Sequence, residues 1–198
     1  MFCAVSAFGQ ESERQGILLV AQTKLSDPNF NKTVVLITQH GKAGTVGVIL
    51  NRPTRVLLSK VFPESKVLSE SDSHLFGGGP VSANSLVFLY RSSRKNKHAL
   101  SVFGDVYLSA NMQLLGAQLT ESGTENVRVF AGFAGWAPGQ LDREIARGDW
   151  IMTEASLNRV FAKDTEKLWQ EMMRTLDGQL VKRSPAKDLR QRLPTVAG

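Results

Sequence analysis

Two short motifs contain residue types that could bind a small anion. Asn51 and Arg52 follow an apolar run, and a guanidinium at a strand end can bind a carboxylate or phosphate through two parallel hydrogen bonds. The run of Gly77, Gly78 and Gly79 could present successive backbone N–H groups to such a ligand. Both motifs also have a structural interpretation. The arginine could form a salt bridge or bind carbonyls, and the glycines could form a tight turn with positive φ angles.

A third motif surrounds the predicted start of a helix. Trp136 and Gln140 flank this start, where the helix dipole favours an anion. The indole could be a platform for a ligand, or it could be an ordinary core side chain. Together the three motifs predict a shallow cleft that accepts an anion or another small ligand.

The sequence contains no recognisable catalytic set. Asp142 and Glu144 are two apart on the predicted helix, so they point away from each other and cannot form an acid–base pair alone. His40, His74 and His98 lack the spacing of a helical metal site. The glycine run lacks the Gly-Lys-Ser/Thr ending of a P-loop. We therefore predict no catalytic residue, no metal and no cofactor.

The net charge of +6 is concentrated in one loop and one tail. The loop contains Arg91, Arg94, Lys95 and Lys97, and the segment Val181–Gly198 carries a net +4 from five Lys or Arg and one Asp. Such a distribution argues against a dedicated nucleic-acid-binding fold, which usually has a broad basic face. Weak contact of the loop and tail with nucleic acid is one alternative, and solvated surface charge is the other.

The elements that must position these residues follow from hydrophobic periodicity. Alternation over Val127–Ala134 predicts a strand covered on both faces. A short helix should begin near Pro138 and end at Gly148. The β-branched runs Lys32–Gln39 and Thr45–Leu50 predict a hairpin of two central strands.

Further elements are predicted with their boundaries. We expect one or two turns of helix over Val56–Phe62, and a helix over Ala110–Glu121 that Ser109 caps. A later helix over Thr165–Leu176 should begin at Asp164 and end at Gly178. Strands outnumber helices without regular alternation, which favours the α+β class.

Four ordered motifs resemble those of the YqgE/AlgH family of bacterial proteins. They are Gly16–Ala21 with Asp27–Phe30, Gly47–Pro53, Phe76–Val81, and Gly132–Trp136 continued by Pro138–Leu141, Glu144-Ile145 and Trp150. In two places where the family usually has tyrosine, this chain has Gly77 and Phe133, so a mechanism based on those hydroxyls is in doubt.

The resemblance implies a fold more than a function. Family members look like an α+β domain with antiparallel strands curled into a pseudo-barrel and helices packed outside. One member is associated with regulation of alginate production, but the family has no agreed biochemical activity. The resemblance therefore transfers no functional residue to this chain.

Length and composition set further expectations. The chain of 198 residues should form one domain over residues 16–180, preceded by a flexible segment 1–15 and followed by a mobile basic tail 181–198. The first residues could instead be a targeting remnant. The sequence has no apolar run of the ~20 residues that span a membrane. The single cysteine, Cys3, excludes an internal disulfide and is compatible with a cytoplasmic location.

The hypothesis that follows is a non-enzymatic regulatory or binding protein with a ligand-accepting cleft. Its partner is a small anionic ligand or another protein. Two alternatives stay open: an enzyme of unassigned class acting on a small anionic substrate through Arg52 and the glycine turn, and a weak nucleic-acid binder.

Overall fold

A computed structural model describes residues 16–180, so the predicted N-terminal segment and the basic tail lie outside the described residues. Within that range no helix is both long and apolar enough to cross a membrane. The ten strands are β1 (Ile17–Ala21), β2 (Val34–Gly41), β3 (Gly44–Ile49), β4 (Pro53–Leu57), β5 (His74–Gly77), β6 (Val81–Arg91), β7 (Leu100–Phe103), β8 (Val106–Ser109), β9 (Val127–Trp136) and β10 (Trp150–Glu154). The six α-helices are α1 (Leu58–Val61), α2 (Lys66–Ser69), α3 (Met112–Ser122), α4 (Gln140–Ala146), α5 (Leu157–Val160) and α6 (Leu168–Leu180).

The strands form one large sheet with β9 at its centre. The hydrogen-bonded order is β10-β1-β2-β3-β9-β6-β8-β7, and β5 joins β4 to β9 beside this path. The pairings are antiparallel except for β5 with β9. The predicted α+β class with antiparallel strands is confirmed. The path of hydrogen-bonded strands runs from β10 to β7 and is not closed into a barrel.

The core consists of three hydrophobic clusters, and β9 contributes to all of them. Phe130 belongs to the first cluster, which includes α6 and residues from most strands. Ala134 and Trp136 belong to the second, which lies under α4. Val127 and Val129 belong to the third, which lies under α3. The predicted double coverage of this strand is confirmed, since its two faces point into different clusters.

The segment after β3 differs from its predicted structure. We expected a helix over Val56–Phe62, but the chain forms β4 as far as Leu57, and the short α1 follows. Pro53 begins this strand. A proline is compatible here because β4 pairs only with β5 and is an edge strand, where the missing N–H breaks no ladder.

Two helix boundaries also differ from prediction. The N-cap of α3 is Asn111 instead of Ser109, and the Asn111 Oδ1 accepts the N–H of Gln113 at 3.0 Å and of Leu114 at 3.3 Å. Ser109 instead donates to the His98 carbonyl at 3.1 Å. The last helix continues through Gly178 to Leu180, because one glycine lowers helix stability without ending a helix that packs into the core.

Candidate functional site

One cavity is lined by Arg128 on β9, and we call it the Arg128 cavity. Its volume is about 750 Å³. Its lining comes from β4 and β5, from the turn before β9, and from the segment between α5 and α6. The apolar part of the lining includes Leu58, Phe76, Val127, Phe161 and Ala162. The rest of the lining is polar or charged, so apolar and polar surface both face the cavity. Its volume lies in the range of small-molecule sites.

Arg128 is held in a fixed position by its neighbours. Its Nη1 donates to the Val160 carbonyl at 2.9 Å, and its Nη2 donates to the Ala162 carbonyl at 2.7 Å. The guanidinium carbon lies 4.8 Å from the ring centroid of Phe76 and 6.0 Å from that of Phe161. These contacts orient the charge, because carbonyl dipoles and aromatic faces both attract a cation.

Among the side chains that the structure describes, residues 16–176, the charge on Arg128 has no carboxylate partner. None lies within ion-pair distance of its guanidinium. Burial lowers the pKa of Arg128 to about 10, so the group is still protonated near neutral pH. A cation that has lost part of its hydration without gaining a carboxylate is an unfavourable arrangement that an anion would relieve.

The second cavity has a volume of about 630 Å³ and is named the Trp150 cavity. The loop 24–30, which connects β1 to β2, forms one side of it. Glu144, Arg147, Asp149 and Trp150 form the other side. Arg147 forms an ion pair with Asp149 at 2.6 Å, so these two charges compensate each other.

Glu144 is the centre of a hydrogen-bond network that includes two of the predicted site residues. Its Oε2 accepts the indole N–H of Trp136 at 2.8 Å and of Trp150 at 2.9 Å. Its Oε1 accepts the side-chain amide of Gln140 at 2.9 Å, and the Gln140 Oε1 accepts the Ala137 N–H at 3.0 Å. Both indoles are buried. The geometry therefore gives Trp136 and Gln140 partners inside the chain, and their role in ligand binding stays a prediction.

Asn51 and Arg52 both contact the connection between β1 and β2. The Asn51 side chain accepts the Val34 N–H at 2.8 Å and donates to the Lys32 carbonyl at 2.9 Å. The Arg52 Nη1 donates to the Asn29 carbonyl at 2.9 Å. Burial lowers the pKa of Arg52 below its usual value, and the nearby charge of Asp27 opposes this shift. This arrangement matches the carbonyl-binding interpretation of the motif.

The glycine run lies against the neighbouring strands. The Gly77 N–H donates to the Arg52 carbonyl at 2.9 Å, and the Gly78 N–H donates to the Ala131 carbonyl at 2.8 Å. A Cβ atom on Gly78 would lie 2.2 Å from the Gly132 carbonyl oxygen, and one on Gly79 would lie 2.2 Å from the Phe133 carbonyl carbon. Glycine is therefore required for close approach of two backbones.

The three motifs are neighbours, but they do not line either cavity. Arg52 contacts the glycine run through its carbonyl, and the connection before β2 joins it to Trp136, because the Phe30 ring stacks on that indole at 5.6 Å. None of the seven predicted ligand-binding residues belongs to the lining of the Arg128 cavity or the Trp150 cavity. Their convergence is structural, and a binding role for them stays a prediction.

The basic loop after β6 is partly neutralised. Arg91 donates to Asp105 through Nε at 3.0 Å and through Nη2 at 2.7 Å. Arg94 lies 3.7 Å from Glu121, Lys95 also has an interaction partner, and Lys97 is exposed. Contact of these four residues with nucleic acid stays a prediction, and the basic tail lies outside the described part of the chain.

Arg128 is the residue that sequence reasoning missed. It occupies one polar position in an alternating strand, although its neighbours on both sides are apolar and both faces of the strand are predicted to be covered. A charged residue within such a strand needs a partner, and this is the signal that could have identified it. Across residues 16–180, no cluster of three or more His, Cys, Asp or Glu is placed to hold a metal ion.

Comparison with known sequences agrees with the motif resemblance. The AlgH-like family model matches residues 18–181. A UPF0301 protein of Streptomyces coelicolor is 34% identical over 185 residues, which cover 89% of this chain and 93% of that protein. A UPF0301 protein of Mycolicibacterium smegmatis is 37% identical over 165 residues, which cover 81% of this chain and 82% of the relative.

Two solved structures have the same fold. A crystal structure of a protein from Corynebacterium diphtheriae superposes with a TM-score of 0.68 at 26% identity and covers 90% of both chains. The solution structure of the AlgH protein from Pseudomonas aeruginosa gives a TM-score of 0.66 at 23% identity, and it covers 94% of this chain and all of the other. At these identities the comparison describes architecture, and the chemistry must come from this chain's own residues.

Proposed function

The chain belongs to the AlgH-like family, and we propose that it is a non-enzymatic binding protein that holds a small anion in the Arg128 cavity. One observation carries the proposal. The Arg128 guanidinium lines a cavity of about 750 Å³ and lacks a carboxylate partner among the described side chains of residues 16–176. An anion in the cavity would supply the missing counter-charge through charge-assisted hydrogen bonds.

Binding is favoured over catalysis because of the properties of Arg128. Its pKa of about 10 leaves it protonated near neutral pH, so it neither donates nor accepts a proton under those conditions. Its two hydrogen bonds to carbonyls hold it still, which reduces the entropy lost on binding. We place this activity in the cytoplasm, because a chain with one cysteine does not depend on disulfides.

The proposal is tested by an NMR titration of the isotope-labelled protein with benzoate, propionate and inorganic phosphate, and with neutral benzamide as the uncharged control. We expect at least one anion, but not benzamide, to shift the Arg128 Nε–H signal and the backbone amides of residues 161–165. If no anion moves these signals, or if the shifts cluster around the Trp150 cavity, the proposal is wrong.

Two variants make the titration specific. Arg128→Lys keeps the positive charge but loses the planar fork, so we expect weaker anion binding. Lys24→Gln removes a positive charge from the lining of the Trp150 cavity, so binding should equal that of the wild type. Equal weakening by both variants would indicate a nonspecific effect of net charge and would contradict the assignment.

A further inference from the structure

The ligand class can be read from the distribution of charge and apolar surface in the Arg128 cavity. This step rests on the proposed function, because it assumes that the cavity takes an anion. The deep part contains Arg128 between two phenyl rings, with Phe76 almost completely buried. Leu58 is also buried there. A ligand that fills this part must have an apolar portion as well as an anionic group, because apolar walls gain from contact with apolar surface.

The rim of the cavity is more acidic than basic. The charged lining comprises the three cations Arg55, Arg128 and Lys163 and the four carboxylates Asp72, Glu125, Asp164 and Glu166. The four carboxylates are exposed, and Asp164 already forms an ion pair with Lys167 at 2.6 Å. A ligand with a second negative charge near the rim would therefore meet like charges, which oppose its binding.

We infer that the ligand is an organic monoanion, with one carboxylate-like group at Arg128 and an apolar body against Phe76 and Phe161. Polyphosphates and nucleic-acid backbones carry several negative charges, so the acidic rim disfavours them. An anion without an apolar body would leave the walls of the cavity in contact with water. A single charge with attached apolar surface satisfies both parts of the lining.

Four matched probes separate these features. Hydrocinnamate has one carboxylate and a phenyl group, hydrocinnamamide has the same shape without the charge, phenylsuccinate adds a second carboxylate, and propionate lacks the phenyl group. Affinity is measured by calorimetry, and the Arg128 Nε–H signal is followed by NMR to locate each probe. We expect the affinity for hydrocinnamate to be at least about tenfold higher than the affinity for each of the other three probes.

The contribution of the rim is tested with the triple variant Asp72→Asn, Glu125→Gln, Glu166→Gln. These side chains are exposed, so the changes should preserve the fold. Removing three like charges should improve phenylsuccinate binding by about tenfold and hydrocinnamate binding by less, because the second carboxylate lies closer to the rim. An equal improvement for both probes would contradict the role assigned to the rim.

The possible failures are distinguishable. If phenylsuccinate, propionate or inorganic phosphate moves the Arg128 signal and binds as tightly as hydrocinnamate, the monoanion class is wrong but the anion site stands. If hydrocinnamamide binds as tightly as hydrocinnamate, the apolar body is confirmed but the need for a negative charge is not, and the inference fails. If no probe moves the Arg128 signal, the proposed function itself is wrong.

Discussion

The Glu144 side chain connects the end of β9 to the start of β10 through hydrogen bonds. The two indoles that donate to its Oε2 come from the end of β9 and the start of β10, so one carboxylate fixes both ends of the segment that contains α4. Its Oε1 holds Gln140, whose own amide oxygen completes the turn at Ala137. The residues Trp136, Gln140, Glu144 and Trp150 therefore form one structural unit.

Replacing the carboxylate should destabilise this unit. In Glu144→Gln, the new amide oxygen can accept the two indole N–H groups only if the new NH2 group faces the NH2 group of Gln140. Two NH2 donors cannot form a hydrogen bond with each other. A rotated Gln140 would remove the acceptor of the Ala137 N–H. We expect a loss of about 2–3 kcal/mol in the free energy of unfolding, measured by urea denaturation, because a charged acceptor is replaced and one donor is left unpaired.

Asp142→Asn is the matched control for this change. Asp142 lies on the same helix and is exposed, so its loss should cost less than about 1 kcal/mol through the helix dipole. Equal destabilisation by the two variants would mean that general helix electrostatics, not the network around Glu144, stabilises α4.

The pKa of Arg128 predicts how anion binding depends on pH. Burial lowers this pKa to about 10, whereas the guanidinium in an unfolded chain keeps its higher ordinary pKa, so the unfolded state binds more protons between these two values. The cost of burying the charged group is therefore present at neutral pH and is relieved as pH rises above about 10. Anion affinity should be constant from about pH 7 to about pH 9 and should then fall by up to about tenfold per unit.

Calorimetric titration with hydrocinnamate across this range checks the prediction. Lys163→Gln serves as the control, because it removes another cation from the lining of the cavity. The alkaline decline should persist in this variant. A decline already present near neutral pH would contradict the role given to Arg128.

Among the elements, the connection from β5 to β6 is the most restricted by space. The Gly78 N–H bonds to Ala131 on β9, and the Gly78 carbonyl accepts the Ile49 N–H at the end of β3. In Gly78→Ala the new methyl group would lie 2.2 Å from the Gly132 carbonyl oxygen, and backbone atoms cannot rotate away. We expect a loss of about 3 kcal/mol or more in the free energy of unfolding, measured by thermal and urea denaturation.

Gly116→Ala provides the matched control. Gly116 lies inside α3, and a Cβ atom there has no neighbour within 4 Å. The same substitution should raise the free energy of unfolding by about 0.5–1 kcal/mol, because alanine loses less entropy in a helix than glycine. If Gly78→Ala were similarly neutral or stabilising, the close approach of the two backbones would not be a requirement of the fold.

Sequence patterns correctly predicted the elements in which apolar residues have a regular spacing. They failed where the position of a segment in the sheet determines its structure. The strand at Val127–Ala134 followed from alternation, and the hairpin of β2 and β3 followed from its β-branched runs. The segment after Pro53 was assigned to a helix because its edge position, which makes proline acceptable, depends on a pairing with β5 that no local pattern contains. The cap of α3 was misplaced by two residues because serine and asparagine are both good caps.

The candidate site was harder to predict than the fold. The motifs around Arg52, Gly78 and Trp136 were correctly identified as unusual, but their polar groups contact the chain itself. The Arg128 cavity is lined by segments from Pro53 to Glu166, and their proximity depends on tertiary structure. A buried cation without a counter-charge becomes visible only when the burial of its neighbours is known.

For the whole molecule, β9 couples the three hydrophobic clusters. Val129 on β9 belongs to the third cluster, whereas Trp136 and Trp150 belong to the second and Trp169 to the first. Because one strand crosses all three, we expect them to unfold together. Val129→Ala should lower the free energy of unfolding by about 2 kcal/mol for every cluster, including those that the side chain does not touch.

Fluorine NMR of the protein labelled with fluorotryptophan checks this coupling. The three indole signals should lose intensity at the same urea concentration, and Val129→Ala should shift all three midpoints equally. Val56→Ala is the control, because this side chain is 43% exposed. It should change the free energy of unfolding by less than about 0.5 kcal/mol. Separate transitions for the second-cluster and first-cluster tryptophans would contradict a single cooperative unit.

The central place of β9 has a consequence for the protein during its synthesis. Among the strands of residues 16–180, β9 is the ninth of ten, yet β3, β5 and β6 all depend on it for hydrogen bonds. A nascent chain on the ribosome therefore exposes these unpaired strand edges until β9 has been translated. Unpaired edges favour association between chains. Newly made molecules would therefore benefit from a chaperone that covers these edges until β9 emerges from the ribosome.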